Sequence, residues 1–199
     1  DTTAYFLTYS LAPPRGLRMD ANLMVNVNNL PAETYQYSQR LIVNHDQYSA
    51  GLTLNDVTQS TYFDQGEGWT GVALQQTQSV NYIIDSLFNG VSTAGNPKLE
   101  LLLVGRDYVQ HSLQVNVGTT GGSLRSIASP SFSGFQTYLV TADLNWTDIG
   151  ADGKLVVQVV ASAASTNRYQ ASVSYIKVTF PQSYNFLGAT NKKFTLAVN

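Results

Sequence analysis

The most regular segment of this chain is Lys98-Leu99-Glu100-Leu101-Leu102-Leu103-Val104. Successive side chains of a β-strand point to opposite faces, so Leu99, Leu101 and Leu103 would share one face of a sheet. The alternation therefore predicts a strand with one face in a hydrophobic core.

The same alternation recurs on both sides of this segment, in stretches rich in Val, Ile, Thr, Tyr and Phe. The further predicted strands are Ala4–Tyr9, Leu17–Val27, Tyr35–Asn44, Val80–Phe88, Ser112–Val117, Gln136–Ala142, Lys154–Ala161, Tyr169–Phe180 and Lys193–Val198. Turn signals such as Gly95-Asn96-Pro97 and Asp152-Gly153 separate them, and no window longer than ten residues has a helical period with a cap at each end. We predict an all-β fold, an antiparallel β-sandwich of jelly-roll or Greek-key type.

One strand changes phase along its length. Its inward set runs Ala171, Val173, Tyr175 and then continues as Ile176, Val178, Phe180. A single inserted residue explains such a switch, so we predict a β-bulge near Tyr175 and Ile176. Pro181 cannot donate a hydrogen bond to a ladder and is predicted to close the strand.

The length of 199 residues permits two domain arrangements. Either residues 1–199 form a single sandwich domain, or residues 1–90 and 91–199 form two closely packed β subdomains. The sequence contains no internal repeat or low-complexity linker that would separate them.

Composition limits the partners and the compartment. Hydrophobic residues make up 43% of the chain but charged residues only 12%, against roughly 25% in average soluble domains. A polar, weakly charged surface is typical of extracellular β-proteins, so we expect a secreted or bacterial cell-surface protein. The 11 basic and 13 acidic residues include no basic cluster that could neutralise a row of phosphates, which argues against nucleic acid as a partner.

The ends of the chain and its lack of cysteine add to this picture. The first residue is Asp1, which suggests a processed or excised piece, and no apolar run reaches the length needed for membrane insertion. Because the chain contains no cysteine, it has no disulfide, no thiolate metal ligand and no cysteine nucleophile.

Several segments, taken in order, resemble a known protein class. The opening Asp1–Thr8 with Gly16-Leu17-Arg18-Met19, the loop Gly66-Glu67-Gly68-Trp69 and the strand Ser174–Val178 are similar to the region upstream of the catalytic domain in gingipain-type cysteine peptidases. The nearest members of that class are large bacterial surface proteins that include the type IX secretion sortase. Taken in sequence order, these segments extend over nearly the whole chain, although each of them is only a short strand or loop.

The resemblance implies an amino-terminal β-domain that precedes a peptidase in a secreted protein. Its partner would be the downstream domain of the same protein or a surface protein. The peptidase nucleophile is a cysteine, and this chain has none, so no catalytic residue carries over. The resemblance thus implies a non-catalytic accessory or interaction domain, which would carry an exposed apolar patch where the next domain docks.

A stand-alone hydrolase is a further hypothesis, because hydrolysis needs a nucleophile with a positioned base. The chain offers His45 and His111 but no Gly-x-Ser-x-Gly elbow and no His-Glu-x-x-His helix. We interpret both histidines as local structural residues and predict no enzymatic activity.

No cofactor is expected, with one exception left open. Asp64 and Glu67 lie three residues apart in a glycine-rich loop, where two carboxylates and main-chain carbonyls could bind a structural calcium ion. The alternative is that Glu67 caps loop amides while Trp69 plugs one end of the sandwich. The string Asp148–Lys154 resembles half of a calcium loop but lacks the distal glutamate, and we interpret Asp152-Gly153 as a hairpin turn.

Aromatic residues raise carbohydrate binding as an alternative function, with polysaccharide as the ligand. Sugars stack their apolar faces on aromatic rings, and this chain has 12 tyrosines and two tryptophans. Packing in the core or at sheet edges is the other interpretation of these rings. The candidate residues for a sugar platform are Tyr35, Tyr37, Tyr62, Trp69 and Trp146.

Overall fold

The computed structural model describes residues 34–48, 52–55, 58–60, 68–163 and 169–185. These residues belong to the compact unit Glu33–Asn199. Apart from two short 3₁₀ helices, Ser92–Ala94 and Trp146–Asp148, the regular elements in these ranges are strands. The strands are β1 Gln36–Val43, β2 Gln47–Tyr48, β3 Leu52–Asn55, β4 Thr58–Ser60, β5 Trp69–Thr70, β6 Ser79–Ile84, β7 Lys98–Gly105, β8 Gln110–Gly118, β9 Arg125–Ala128, β10 Ser131–Ser133, β11 Thr137–Asp143, β12 Leu155–Ala161 and β13 Ala171–Gln182.

Two antiparallel sheets make up most of the described chain. Sheet A has the order β1-β13-β7-β11, and sheet B has the order β10-β8-β12-β6, with β9 also paired to β8. Two small ladders join β2 to β5 and β3 to β4. From β6 to β8 and from β11 to β13, each connection crosses to the other sheet. The all-β antiparallel sandwich predicted from the alternation is confirmed.

The core lies between the two sheets and follows the predicted inward positions. Leu99, Leu101 and Leu103 are at most 1% exposed, and they pack in one cluster with Val115 of β8 and Val157 of β12. Burial of these aliphatic side chains, each worth about 1.5–3 kcal/mol, is the main favourable contribution to the fold.

The predicted bulge is present in β13. The register with β7 shifts between Val173 and Tyr175, so Ser174 is the additional residue. Ile176, Val178 and Phe180 then face the core with no exposed surface. Tyr175 therefore lies on the face opposite to the core, not among the inward residues.

Pro181 does not end β13, which continues to Gln182. The Pro181 carbonyl accepts a hydrogen bond from Val91 N (3.0 Å). In an extended strand the N and O of one residue point to the same side, so the missing donor of Pro181 faces Val91 and not β1. The ladder between β13 and β1 consequently loses no bond.

Other predicted boundaries differ. The strand expected at Val80–Phe88 ends at Ile84, since Ser86 and Asn89 have positive φ angles of 61° and 57°, which strands do not adopt. The short strands β9 and β10 were not predicted, because neither is long enough for an alternation to be visible. The predicted strands Ala4–Tyr9, Leu17–Val27 and Lys193–Val198 lie outside the described residues.

Candidate functional site

The face of sheet A that points away from the core is organised in rows across its four strands. One row consists of Val43, Tyr175, Leu102 and Leu139, which are direct partners in the three ladders. Val43 is 56% exposed and Leu139 49%, whereas Leu102 between them is buried. We define these four residues as the apolar row.

Two polar rows run beside the apolar row. The first contains Leu41, Lys177, Glu100 and Thr141, and the second contains Gln39, Thr179, Lys98 and Asp143. Because these residues come from four strands that are distant in the sequence, only the strand register brings them together. The outer face of sheet A therefore combines exposed aliphatic side chains with charges of both signs.

The carboxylate of Glu100 is held in place by two hydrogen bonds on this face. Lys177 Nζ lies 2.8 Å from Glu100 Oε1, and the hydroxyl of Tyr175 donates to the same oxygen at 2.7 Å. These hydrogen bonds, first from Lys177 and then from Tyr175, lower the pKa of Glu100 below its usual value. Burial, together with the bond to Glu100, raises the pKa of Tyr175. Glu100 is thus an anion near neutral pH, with its second oxygen still available.

The polar rows form a depression of about 400 Å³. Its lining residues are Lys98, Leu99, Glu100, Thr141, Ala142, Asp143, Lys177 and Thr179. Two lysines and two carboxylates give it no net charge. Lys98 and Asp143 are both exposed and are partners in the register, yet they form no ion pair with each other. We define this depression as the sheet A groove.

A second exposed feature lies at the Val43 end of β1. The side chains of Leu41, Val43, Tyr48 and Trp69 are 59%, 56%, 59% and 47% exposed. The rings of Tyr48 and Trp69 are 5.4 Å apart, and the strands that carry them pair directly. We define these four residues as the β1 patch.

The structure separates the predicted aromatic platform residues. Tyr35 and Tyr37 contact each other edge to face at 5.7 Å between ring centroids. Tyr37 is the second residue of β1 and Val43 is the last, so they lie about 20 Å apart at the rise of a strand. Trp69 is thus near Tyr48, which was not predicted, and not near Tyr37. Tyr62 lies outside the described residues.

Trp146 occupies a packing position. Its indole N–H donates to the Gly95 carbonyl at 3.0 Å, and its ring packs against the core cluster. A Cβ atom on Gly90 would lie 2.0 Å from this ring, so only glycine fits beneath it. The ring face over Gly90 is therefore not available to a ligand.

The metal predictions have different outcomes. Asp64 and Glu67 lie outside the described residues, so their calcium site stays a prediction. Within the part of the chain that the structure describes, no group of three or more His, Asp or Glu side chains is placed to hold a metal ion. In the string Asp148–Lys154, both carboxylate oxygens of Asp148 accept hydrogen bonds from Arg125, at 2.8 and 2.5 Å. Gly153 has the positive φ of a turn, as the interpretation of Asp152-Gly153 as a hairpin turn requires.

The two histidines lie in different surroundings. His111 is completely buried between the rings of Phe132 and Tyr169, and its Nε2 donates to the Gly134 carbonyl at 3.0 Å. Burial lowers its pKa despite the nearby Asp107, so it is neutral. His45 is exposed, with Nδ1 3.3 Å from the Val43 carbonyl. Within the described residues, neither ring bonds a serine hydroxyl.

No helix in the described ranges has the length and apolar character required to cross a bilayer.

The sequence analysis did not predict the outward residues of the groove as a site. Lys98 and Glu100 could be assigned to the outer face from the alternation, but nothing in the sequence pairs them with Asp143 or Lys177. Tyr48 could have been noticed as an aromatic residue shortly after a predicted strand.

No protein-family model matches the sequence, and no curated protein matches it. Among solved structures, the chain is similar to part of dimeric latent PorU from Porphyromonas gingivalis, with a TM-score of 0.52 and 13% identity over 79% of this chain. It is also similar to the CBM36-1 domain of a multidomain xylanase from the hindgut metagenome of Trinervitermes trinervoides (TM-score 0.42, 15% identity, 71% of this chain and 96% of that one). A third match is the carbohydrate-binding module CBM36 in complex with calcium and xylotriose (TM-score 0.39, 17% identity, 60% and 89%).

The PorU match extends over 14% of the PorU chain. At this identity it shows a shared fold. PorU is gingipain-related, so the resemblance seen in the sequence holds at the level of the fold.

Proposed function

We propose that this chain is a non-catalytic interaction domain of a larger bacterial protein, secreted or displayed on the cell surface, and that it precedes a gingipain-type peptidase domain. The observation that carries the proposal is the β1 patch. Leu41 and Val43 point to the same face of β1, the rings of Tyr48 and Trp69 contact each other, and all four side chains are about half exposed. Adjacent exposed apolar residues of this kind mark protein interaction sites, whereas single exposed ones are ordinary.

The chemistry of the chain is consistent with a binding role. The chain has no cysteine, and its two histidines lie in the core and at a strand end. We also propose that residues 33–199, which form one compact unit, are a single domain. Pairing of β1 with β13 and of β6 with β12 supports this over separate subdomains at 1–90 and 91–199.

A docking experiment tests the function. The segment that follows this chain in the intact gene product would be expressed separately, and its binding to the 199-residue chain measured by calorimetry. Replacing Leu41 and Val43 together by threonine keeps strand propensity but removes apolar contact area. We expect the affinity to fall at least about tenfold, equivalent to about 1.4 kcal/mol.

Ile83→Thr is the matched control, because Ile83 is 52% exposed on the outer face of the other sheet. It should leave binding unchanged. The proposal fails if no peptidase domain follows the chain, or if Ile83→Thr weakens binding as much as the double variant does.

Carbohydrate binding is the second candidate function, and the exposed ring pair of Tyr48 and Trp69 favours it. Aromatic faces that remain open to solvent suit the apolar faces of sugar rings. Titration with soluble polysaccharides, followed by tryptophan fluorescence, tests it. Trp146 is held by the Gly95 carbonyl, so a ligand-dependent change should come from Trp69 and vanish in Trp69→Ala. A signal that persists in this variant would contradict an aromatic platform at Trp69.

A further inference from the structure

The sheet A groove has an ordered polar floor. Tyr175 and Lys177 both donate to Oε1 of Glu100, which fixes the carboxylate within the sheet. The side chains of Glu100 and Lys177 are each less than one-third exposed, so the pair lies in the floor of the groove and not at the edge of the groove. A group held in this way is positioned before a ligand arrives, which reduces the entropy lost on binding.

Several hydrogen-bonding groups in the groove have no protein partner. Among the described residues, Glu100 Oε2, the ammonium of Lys98 and the carboxylate of Asp143 make no hydrogen bond or ion pair, and neither do the hydroxyls of Thr141 and Thr179. The set contains both donors and acceptors, and its charges cancel. A ligand that satisfies all of them must itself offer donors and acceptors without net charge.

The apolar row borders this polar floor along the whole width of the sheet. Four strands spaced about 4.8 Å apart give it a length of about 14 Å. A ligand in the groove would therefore present an apolar face to one side and polar groups to the other.

We propose that the sheet A groove binds a short neutral oligosaccharide. A sugar hydroxyl is both donor and acceptor, as the mixed set of groove side chains requires, and the C–H faces of pyranose rings suit the apolar row. Glu100 and Asp143 would accept from ring hydroxyls, and Lys98 would donate to them. The inference deepens the second candidate function and rests on it, but it assigns the site to the groove and not to Trp69.

An extended peptide fits this face less well. Peptides add to sheets through backbone hydrogen bonds at an edge strand. The groove lies over β7, β13 and the edge strand β11, and its side chains point out of the plane of the sheet, whereas the free backbone groups of β11 point along that plane. A peptide here would have only side-chain contacts.

The test uses the complete 199-residue chain and NMR titration with cellotriose, mannotriose and chitotriose, up to about 10 mM, the concentration range of weak single-site binding. We expect one or more of them to shift amide resonances of β7, β11 and β13. Lys98→Met should weaken binding about tenfold and Thr141→Val about fivefold, as for the loss of a charged and a neutral hydrogen bond. A blocked neutral tetrapeptide should cause no shifts.

The matched controls are Lys154→Met, a lysine outside the groove, and Thr137→Val, on the same strand as Thr141 but outside the lining. Both should bind like the parent chain. All variants replace partly exposed side chains, and dispersed amide spectra verify their folding.

The outcomes separate this inference from the function on which it rests. Binding that is lost in Trp69→Ala but unchanged in Lys98→Met and Thr141→Val supports a carbohydrate module and overturns the groove as its site. No response to any trisaccharide overturns both. Shifts by the tetrapeptide equal to those by the sugars overturn the ligand class.

Discussion

The two outer faces of the sandwich are built by the same alternation but present different chemistry. On sheet B, Asn116, Gln158 and Asn81 form a row across β8, β12 and β6, and Asn116 Nδ2 donates to Gln158 Oε1 at 3.0 Å. Ser131 bonds Gln110 in a similar way. In β6, β8, β10 and β12 no ionisable side chain points away from the core. Sheet A instead carries the groove, with charges that lack partners.

The difference bears on the proposed binding site. The amides and hydroxyls of sheet B bond to each other, so they gain little by exchanging those bonds for a ligand. The free carboxylate oxygens and ammonium of sheet A can add bonds without breaking any. This contrast supports the proposed site on sheet A over one on the outer face of sheet B.

The largest expected difference between the two outer faces is in the loss of stability on substitution, and it is greatest at Leu102 of sheet A. Leu102 points away from the core, beside its register partner Tyr175, but is only 7% exposed. Leu102→Ala should reduce the free energy of unfolding by about 2–3 kcal/mol, measured by urea denaturation. Gln158→Ala, at the centre of the outer face of sheet B, should cost no more than about 0.5 kcal/mol. Equal costs would mean that the two outer faces are packed alike.

The next largest expected difference is in the contribution to stability of two ion pairs, Arg125–Asp148 next to sheet B and Lys177–Glu100 on sheet A. Asp148 is 5% exposed, accepts two bonds from Arg125 of β9 and a third from Asn145 N at 2.7 Å, and thereby caps a 3₁₀ helix. Asp148→Asn should lower stability by about 2 kcal/mol, because it leaves the buried bonding incomplete. Calorimetric melting checks this. A cost below that of Glu100→Gln would reverse the assignment of Asp148 as structural and Glu100 as accessible.

The Glu100 pair should have a smaller effect that depends on pH. Because its pKa is lower in the folded state than the unfolded value of about 4.5, its contribution is complete above that value and is lost as pH falls through the lower, folded pKa. Glu100→Gln should cost up to about 1 kcal/mol at pH 7, and the difference should shrink toward zero at acidic pH. Denaturation curves of both proteins across this range measure it.

Asp152→Asn is the control for the pH experiment, because Asp152 lies 3.8 Å from Lys154 in an exposed turn. Because this pair is exposed, the variant should change the free energy of unfolding at pH 7 by no more than about 0.5 kcal/mol. A loss of stability in Glu100→Gln that persists at low pH would show that the charge of Glu100 is not responsible.

The smallest expected change in stability is that of Lys98→Met. Lys98 is exposed and has no hydrogen-bond or ion-pair partner among the residues that the structure describes, so the free energy of unfolding should change by less than about 0.5 kcal/mol. The same variant is expected to weaken trisaccharide binding about tenfold. A residue that matters for binding but not for stability is what distinguishes the sheet A groove from the sheet B surface. A large destabilisation would instead assign Lys98 a structural role.

Much of the fold was predictable because burial follows local rules. The alternation at Lys98–Val104 predicted β7 and its inward leucines, and the phase change in the last described strand predicted a bulge, which the structure places at Ser174. The candidate site was less predictable. Trp69 and Trp146 were both candidate platform residues, and Trp69 is 47% exposed whereas Trp146 packs over Gly90. The sequence could not separate them, because the fit of a ring against a glycine depends on residues 56 positions apart.

The sequence by itself determined the class of fold, the direction of the side chains along β7 and the absence of a cysteine nucleophile. These properties depend on residue types and on the two-residue period of a strand. The tertiary structure alone decided which outward side chains meet. The register of β13 against β7, and of β7 against β11, places Lys177, Glu100 and Thr141 in one row, and the bulge at Ser174 sets that register. A one-residue slip of β13 would move Lys177 to the opposite face and remove it from the row, so the groove depends on the pairing of several strands and not on any one strand.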